Sequence, residues 1–277
     1  MWKICEKTCL ITGATSGIGK QTALALTRQG AKVIFTYRNE KKAIETQKFI
    51  ESETGTKPEM YYCDLSSFDS IRSFTEQFKS KHQRLDVLIN NAGIWEPHRT
   101  LSVDGIEMNF ATNHLSPFLL TNLLLDLLIK SNPARIINVA SGAHKNVEIK
   151  FDDIEMKQNF RGFKSYSQSK LGNVLFTKSL AWKLAEKNVS VYCLHPGVVS
   201  TDIFKNMGKF SAGIMKLFLI SPEKGAQTSI YLATANEINS PSGSYFFRKK
   251  VVSSSRISNN KEIADRLWDV SSKYIGL

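Results

Sequence analysis

The sequence predicts an α/β fold consisting of one doubly wound parallel sheet with helices on both faces. Short apolar segments alternate with segments of helical periodicity along nearly the whole chain. The apolar segments are rich in β-branched and aromatic residues, as expected for parallel strands that are buried on both faces. Because no repeat or low-complexity linker interrupts the 277 residues, we expect one domain over residues 1–277.

The first half of the sequence contains four expected strands and three helices. The strands are Thr8–Thr12, Lys32–Tyr37, Glu59–Cys63 and Asp86–Asn90. Glycines that follow a helical pattern, Gly30 and Gly55, are typical C-terminal caps for the first two helices, and Ser67 is the expected N-cap of the third.

The second half continues the alternation. A long helix is expected around Asn109–Ile129, between the strands Asp86–Asn90 and Arg135–Val139. A helix that carries Tyr166 then leads to the strand Ser190–Leu194. A late strand, Gly243–Phe247, and a helix, Asn260–Tyr274, complete the predicted elements.

The chain is basic, with a formal net charge of +12. Its densest basic group is Arg248-Lys249-Lys250, and the other cations are dispersed. Because basic and aromatic residues do not interleave, we expect no nucleic-acid partner. The charge also suits a phosphorylated ligand or an anionic membrane surface, so peripheral membrane contact remains open.

The four cysteines, Cys5, Cys9, Cys63 and Cys193, lack metal-ligand or redox spacing. We therefore expect reduced structural thiols, no metal and a cytoplasmic setting. The N-terminus carries charges where a signal peptide needs an apolar core, and the longest apolar run, Phe118–Ile129, is too short to cross a bilayer.

A glycine-rich turn, Thr12–Gly19, joins the first strand to its helix. Such a turn lets the backbone approach a pyrophosphate, which then lies at the positive N-terminus of the helix. The spacing GxxxGxG matches the general dinucleotide pattern only in part, so a turn without a ligand is the alternative. Arg38 follows the second strand, where a guanidinium can bind the 2′-phosphate of NADP(H). Glu40 is close enough to favour NAD(H) instead if it turns inward.

Tyr166 and Lys170 are four residues apart and therefore share one face of a helix. A phenol titrates near pH ~10, and a neighbouring ammonium is expected to lower this pKa. The pair is a candidate proton donor and acceptor for interconversion of a carbonyl and an alcohol. A solvated helix face is the alternative interpretation of this spacing.

With these motifs in order, the chain resembles the short-chain dehydrogenase/reductase family, which has a Rossmann-type fold, over nearly its whole length. The motifs are Thr12–Gly19, Asp64-Leu65, Asn90–Gly93, Asn113, Ser141, Tyr166-x-x-x-Lys170 and Pro196-Gly197. The stretches Thr112–Leu115, Tyr166–Leu171 and Arg266–Ser271 are similar to the retinol dehydrogenase-like branch.

The resemblance implies roles for these residues. Ser141 would polarise the substrate oxygen, Tyr166 would transfer the proton, and Lys170 would lower the tyrosine pKa and bind the nicotinamide ribose. Asn113 would anchor a water molecule in a proton relay. The implied cofactor contacts are Gly13, Thr15, Ser16, Gly17, Ile18, Gly19, Arg38, Asn39, Asp64, Leu65, Asn91, Ala92, Gly93, Tyr166, Lys170, Pro196, Gly197, Val199 and Thr201.

Three further features concern the substrate side. Pro117 lacks an N–H and lies four residues after Asn113, so the Asn113 carbonyl would be free for the relay water; a simple kink is the alternative. The segment 202–221 suits a lid over a lipophilic substrate, a membrane-surface helix or a helix packed on the sheet. His144 could line the substrate mouth, but none of the five histidines is assigned to catalysis.

Together these features predict an NADP(H)-dependent oxidoreductase that interconverts a carbonyl and an alcohol on a lipophilic, retinal-like or other substrate. Ala140 replaces a serine that is frequent in the family, so Ser141 would act alone. The alternative is an NADP(H)-binding regulatory or scaffold protein with little catalysis. The intact set Asn113, Ser141, Tyr166 and Lys170 favours the enzyme.

Overall fold

A computed structural model describes residues 2–197 and 220–277. Eight strands in these ranges form one sheet in the order β3-β2-β1-β4-β5-β6-β7-β8. The strands are β1 Thr8–Ile11, β2 Lys32–Tyr37, β3 Glu59–Tyr62, β4 Val87–Asn90, β5 Ala134–Val139, β6 Val189–His195, β7 Tyr245–Phe247 and β8 Lys250–Val251. All neighbouring pairs are parallel except β7 and β8, which form an antiparallel hairpin.

Helices cover both faces of this sheet, as expected for a parallel sheet with right-handed crossovers. The α-helices of the described ranges are α1 Gly17–Arg28, α2 Glu40–Thr54, α3 Phe68–Lys81, α4 Met108–Phe110, α5 Ser116–Leu123, α6 Leu125–Ser131, α7 Gly162–Lys183, α8 Pro222–Thr234 and α9 Lys261–Ile275. Each face of the sheet has its own buried apolar cluster. Leu10 of β1 belongs to one cluster, and the next residue, Ile11, belongs to the other. The predicted doubly wound fold is therefore confirmed.

The strand order reverses direction at β1, whose neighbours are β2 on one side and β4 on the other. In open parallel sheets, ligands bind in the crevice at the carboxyl ends of the strands at such a reversal. The turn after β1 and the segment after β4 both lie at this crevice, so the fold brings Gly13 close to Ala92.

The long helix expected around Asn109–Ile129 is interrupted. A π-helical turn, Ala111–Leu115, separates α4 from α5, and the Ser116 N–H donates to the Ala111 carbonyl five residues earlier. Pro117 lies in the first turn of α5 and has no N–H for the α-helical pattern, which gives a local reason for the change in winding. Asn113 lies within this turn.

No helix in the described ranges combines the length and apolarity that a bilayer crossing requires. The expected lid over residues 202–221 falls outside these ranges except for its last two residues, Ile220 and Ser221. Ser221 is the N-cap of α8, where its hydroxyl accepts the Lys224 N–H.

Candidate active site

The predicted acid–base pair lies near the N-terminal end of α7. Tyr166 and Lys170 are 8% and 2% exposed, so the solvated helix face is excluded for both residues. The Lys170 ammonium donates to the carbonyl of Val139, the last residue of β5, at 3.2 Å, and its Nζ lies 5.8 Å from the centre of the Tyr166 ring. Burial lowers the pKa of Lys170 to about 8.

Ser141 lies two residues beyond β5 and faces this pair. Its Oγ accepts the Ala143 N–H at 3.2 Å, and its side chain forms a hydrogen bond with Tyr166. Burial raises the pKa of Tyr166, and the Ser141 hydrogen bond opposes that rise. The expectation of a lowered tyrosine pKa is therefore wrong for the chain by itself, because desolvation sets the direction of the shift.

Asn113 is fully buried, and its side chain connects two segments of the site. Its Nδ2 donates to the Ile94 carbonyl at 2.9 Å and to the Ser169 hydroxyl at 3.0 Å, while its Oδ1 accepts the Ile94 N–H at 2.8 Å. The amide thus holds the segment after β4 against α7. The relay water on the Asn113 carbonyl stays a prediction.

Gly93 lies where these two segments meet. A Cβ atom added at this position would be 2.9 Å from Lys170 Nζ and 3.3 Å from Asn113 Oδ1. A side chain would therefore occupy the space beside the ammonium. This close approach explains why the turn after β4 contains a glycine at the position nearest the acid–base pair.

The glycine turn after β1 forms the second half of the site. Gly13 has φ +67°, and a Cβ atom at Gly19 would be 2.3 Å from the Gly13 carbonyl oxygen. The Asn91 side-chain amide donates to the carbonyls of Thr12 and Gly13 at 2.9 and 3.2 Å. The turn is thus pinned to the end of β4 with its backbone closely packed.

The N-terminus of α1 is open to an anion. The Ser16 hydroxyl forms no capping hydrogen bond with α1, and the first turn of α1, which includes Gly17 and Ile18, contains no acidic residue. Free backbone N–H groups and the positive end of the helix dipole favour a phosphate at such a position. The carbonyl of Thr15, in the same turn, accepts a hydrogen bond from the Thr46 hydroxyl of α2 at 3.3 Å. These residues fit a dinucleotide pyrophosphate.

The predicted adenosine contacts follow β2 and β3. Arg38 is exposed at the carboxyl end of β2, and within the described residues its guanidinium has no hydrogen-bond or ion-pair partner. The Asn39 side chain accepts the Lys42 N–H and caps α2. Asp64 accepts both the N–H and the hydroxyl of Ser66 on Oδ1, and the Leu65 carbonyl accepts the Ser116 hydroxyl. The side chains of Asn39 and Asp64 therefore also support the local backbone.

The turn after β6 contains Pro196 and Gly197, where Gly197 has φ +96°. A Cβ atom at Gly197 would be 2.6 Å from Ile220 Cδ1, so the turn lies against the start of the α8 segment. The other two predicted contacts of this region, Val199 and Thr201, lie outside the described residues.

The histidines have structural positions. His144 is fully buried, binds the Ser141 carbonyl through Nδ1 at 2.7 Å and accepts the Ser255 N–H on Nε2 at 3.1 Å. The idea that it lines the substrate mouth is therefore wrong, because both ring nitrogens hold backbone groups. Burial lowers the pKa of His195 to about 4. The described residues contain no cluster of side chains suited to a metal ion.

The structure also contains a buried carboxylate next to the site that no sequence motif predicts. Glu107 is 1% exposed and accepts four hydrogen bonds, from the Asn109 N–H and side-chain amide, the Phe110 N–H and the Ser165 hydroxyl. Ser165 immediately precedes Tyr166. In the sequence, Glu107 is a single acidic residue between Ile106 and Met108. Nothing in that stretch indicates its hydrogen bond with Ser165, which is 58 residues away.

The doubly wound fold, with a glycine turn and a buried tyrosine–lysine pair at one crevice, is typical of Rossmann-type oxidoreductases. The family model described as short chain dehydrogenase matches residues 7–212. The chain therefore belongs to the short-chain dehydrogenase family of oxidoreductases.

Within the family, the chain is 43% identical to human retinol dehydrogenase 13 over 98% of this chain and 85% of the relative. The resemblance to the retinol dehydrogenase branch is thus confirmed. A crystal structure of an uncharacterized protein from Mycobacterium paratuberculosis has 30% identity and a TM-score of 0.81, with 99% of this chain and 95% of that chain covered. The structure of the Pseudomonas aeruginosa RhlG/NADP complex has 26% identity and a TM-score of 0.70, with 88% and 94% covered.

Proposed function

We propose that the protein is an NADP(H)-dependent oxidoreductase that interconverts a carbonyl and an alcohol on a lipophilic substrate, with Tyr166 as the general acid and base. The observation that carries the proposal is the meeting of Ser141, Tyr166 and Lys170 at the carboxyl edge of the sheet, beside Gly93. A retinoid-like or other lipophilic aldehyde or ketone is the proposed substrate, by analogy with the retinol dehydrogenase relatives.

The proposed cofactor position has support from residues of this chain. The glycine turn and the uncapped N-terminus of α1 suit a pyrophosphate. Arg38 supplies an exposed guanidinium for the 2′-phosphate, which favours NADP(H) over NAD(H). The bound nicotinamide would supply or accept the hydride at the carbonyl carbon.

The protein groups then act on the oxygen of the substrate. Ser141 donates a hydrogen bond to the carbonyl oxygen and polarises the bond. Tyr166 gives its proton to that oxygen during reduction and takes it back during oxidation. The Lys170 ammonium, whose Nζ lies 5.8 Å from the centre of the phenol ring, stabilises the phenolate left by reduction.

The test is a panel of lipophilic aldehydes and ketones with NADPH, followed by the nicotinamide absorbance. We expect Tyr166→Phe to lower kcat by about 100-fold or more, the usual contribution of a positioned acid–base group. Tyr231→Phe, the same change on α8 at the opposite face of the sheet, is the matched control and should keep native turnover. If Tyr166→Phe turns over every substrate as the native protein does, the catalytic assignment is wrong.

A further inference from the structure

A strained basic turn lies at the same sheet edge as the proposed active site. Arg248 and Lys249 form the two-residue loop between β7 and β8, and their φ values are +50° and +65°. A hairpin loop with two positive φ angles strongly favours Asn-Gly, since glycine has no Cβ atom, asparagine tolerates the left-handed region and most other side chains are strained there. This chain instead has two long cations in the loop, and Lys250 follows them.

The three cations are available to an anion. All are exposed, and among the described residues none forms an ion pair. The Arg248 guanidinium lies 5.1 Å from the Phe247 ring, and the Lys249 N–H donates to the Thr228 hydroxyl of α8 at 3.2 Å. The backbone of the turn is therefore held in place while its charges face solvent. Conformational strain in a well-supported segment is a reason to look for a function.

The strand register places this turn level with Ser141. Val139 of β5 pairs with Leu194 of β6, which pairs with Phe246 of β7. Ser141 and Arg248 each stand two residues beyond this row. Because neighbouring strands are about 4.8 Å apart, the two backbones are separated by about 10 Å along the sheet edge.

Packed side chains fill the interval between them. A Cβ atom at Gly142 would be 3.3 Å from His195 Nε2. The His195 ring in turn stacks on Phe247, with centroids 5.2 Å apart and planes inclined by 18°. Among the described residues, the His195 and Phe247 rings thus lie between the Ser141 side of the site and the cations.

We propose that the Arg248-Lys249-Lys250 turn binds an anionic group, a carboxylate or phosphate, at the far end of the carbonyl substrate. The inference rests on the proposed function and narrows its substrate class to amphiphiles long enough to reach from Ser141 to the turn, whose backbones are about 10 Å apart. The 2′-phosphate of a cofactor is a different anion at a different place, since Arg38 follows β2, on the other side of β1 from β7.

The test compares two aldehydes of equal carbon number, octanal and suberic semialdehyde, with succinic semialdehyde as a chain too short to span the interval. We expect the native protein to show a KM for suberic semialdehyde at least about 10-fold below that for octanal, since a charge-assisted hydrogen bond supplies such a factor. Succinic semialdehyde should gain no such advantage.

The variant R248N/K249G removes both charges and installs the residues that this loop geometry favours. We expect it to lose the preference for suberic semialdehyde, to keep native turnover of octanal, and to unfold about 2 to 4 °C higher because strain is relieved. The control K32Q/K187Q removes two exposed lysines that lie at the amino ends of β2 and β6, the opposite edge of the sheet, and should retain the preference.

Three results would overturn the proposal: no preference in the native protein, the same preference in R248N/K249G, or its loss in K32Q/K187Q. Binding to phosphatidylserine vesicles that depends on the turn, without any preference between aldehydes, would make a lipid headgroup the anion and would also overturn it. If no aldehyde reacts, the proposed function is wrong, and this result alone does not test the anion site. Calorimetric binding of suberate then decides the inference: binding that R248N/K249G loses supports the anion site, and no binding refutes it.

Discussion

Replacement of Lys170 by methionine should stabilise the protein while abolishing its activity. The ammonium is 2% exposed and has one hydrogen bond among the described residues, to the Val139 carbonyl. Burial lowers its pKa from 10.5 to about 8. At pH 7 the lysine is charged in both the folded and unfolded states, so folding carries the cost of desolvating that charge, about 3 kcal/mol at 1.36 kcal/mol per pKa unit.

Methionine has similar length and no charge, so Lys170→Met removes this cost. It also removes the hydrogen bond to Val139, whose net contribution is about 1 kcal/mol. The expected gain in the free energy of unfolding at pH 7 is therefore about 2 kcal/mol. Urea denaturation measures this gain, and Lys187→Met, at an exposed position, is the control that should change it by less than about 0.5 kcal/mol.

The pH dependence of the stability tests the same reasoning independently. Between the folded pKa of about 8 and the unfolded value of 10.5, the unfolded chain binds more protons at this site than the folded protein does. The stability of the native protein should therefore rise with pH through this window relative to the Lys170→Met variant. Above the window only the lost hydrogen bond to Val139 remains, so the variant should there be less stable than the native protein by about 1 kcal/mol. A variant that is less stable at pH 7, or a stability advantage of the variant that widens with pH, would refute the reasoning.

Three further substitutions test the rest of the site. Glu107→Gln places an amide N–H₂ among the donors that include the Ser165 hydroxyl, and should lower the free energy of unfolding by about 3 kcal/mol in urea titrations. Gly93→Ala brings a Cβ atom to 2.9 Å from Lys170 Nζ; it should lower kcat and cost about 1 to 3 kcal/mol of stability by overpacking. Arg38→Ala should raise the KM for NADPH about 10- to 100-fold and leave that for NADH unchanged, and equal effects on both cofactors would contradict the 2′-phosphate assignment.

Features of the fold that depend on local sequence were predictable. Gly55 ends α2 in the left-handed conformation expected of a C-terminal cap, and Ser67 caps α3 with its side chain, as the local patterns indicate. Apolar segments with β-branched residues became buried strands because a parallel sheet with two covered faces leaves no polar side. These signals extend over a few residues and need no knowledge of distant partners.

Features that depend on distant contacts were not predictable from the pattern. His144 was expected near the substrate, yet its ring spans the Ser141 carbonyl and the N–H of Ser255, 111 residues later. No local pattern predicts the β7–β8 hairpin either. Its loop, Arg248-Lys249, contains neither the Asn nor the Gly by which such a turn is recognised in a sequence.

The same contrast separates the two halves of the site. The proposed cofactor half is built largely from backbone, namely the glycine turn after β1 and the N-terminus of α1. Backbone geometry requires glycine at positions 13 and 19 of this turn, so the local sequence alone reveals the requirement. The substrate half is built from side chains that converge from β5, β6, β7 and α7. Its specificity depends on where the register places them, and register is visible only in the folded sheet. The register places Ser141 and Arg248 at the same level of the sheet, which the sequence does not show. The structure therefore raises a question about the charge of the substrate, whereas the sequence already addresses the identity of the cofactor.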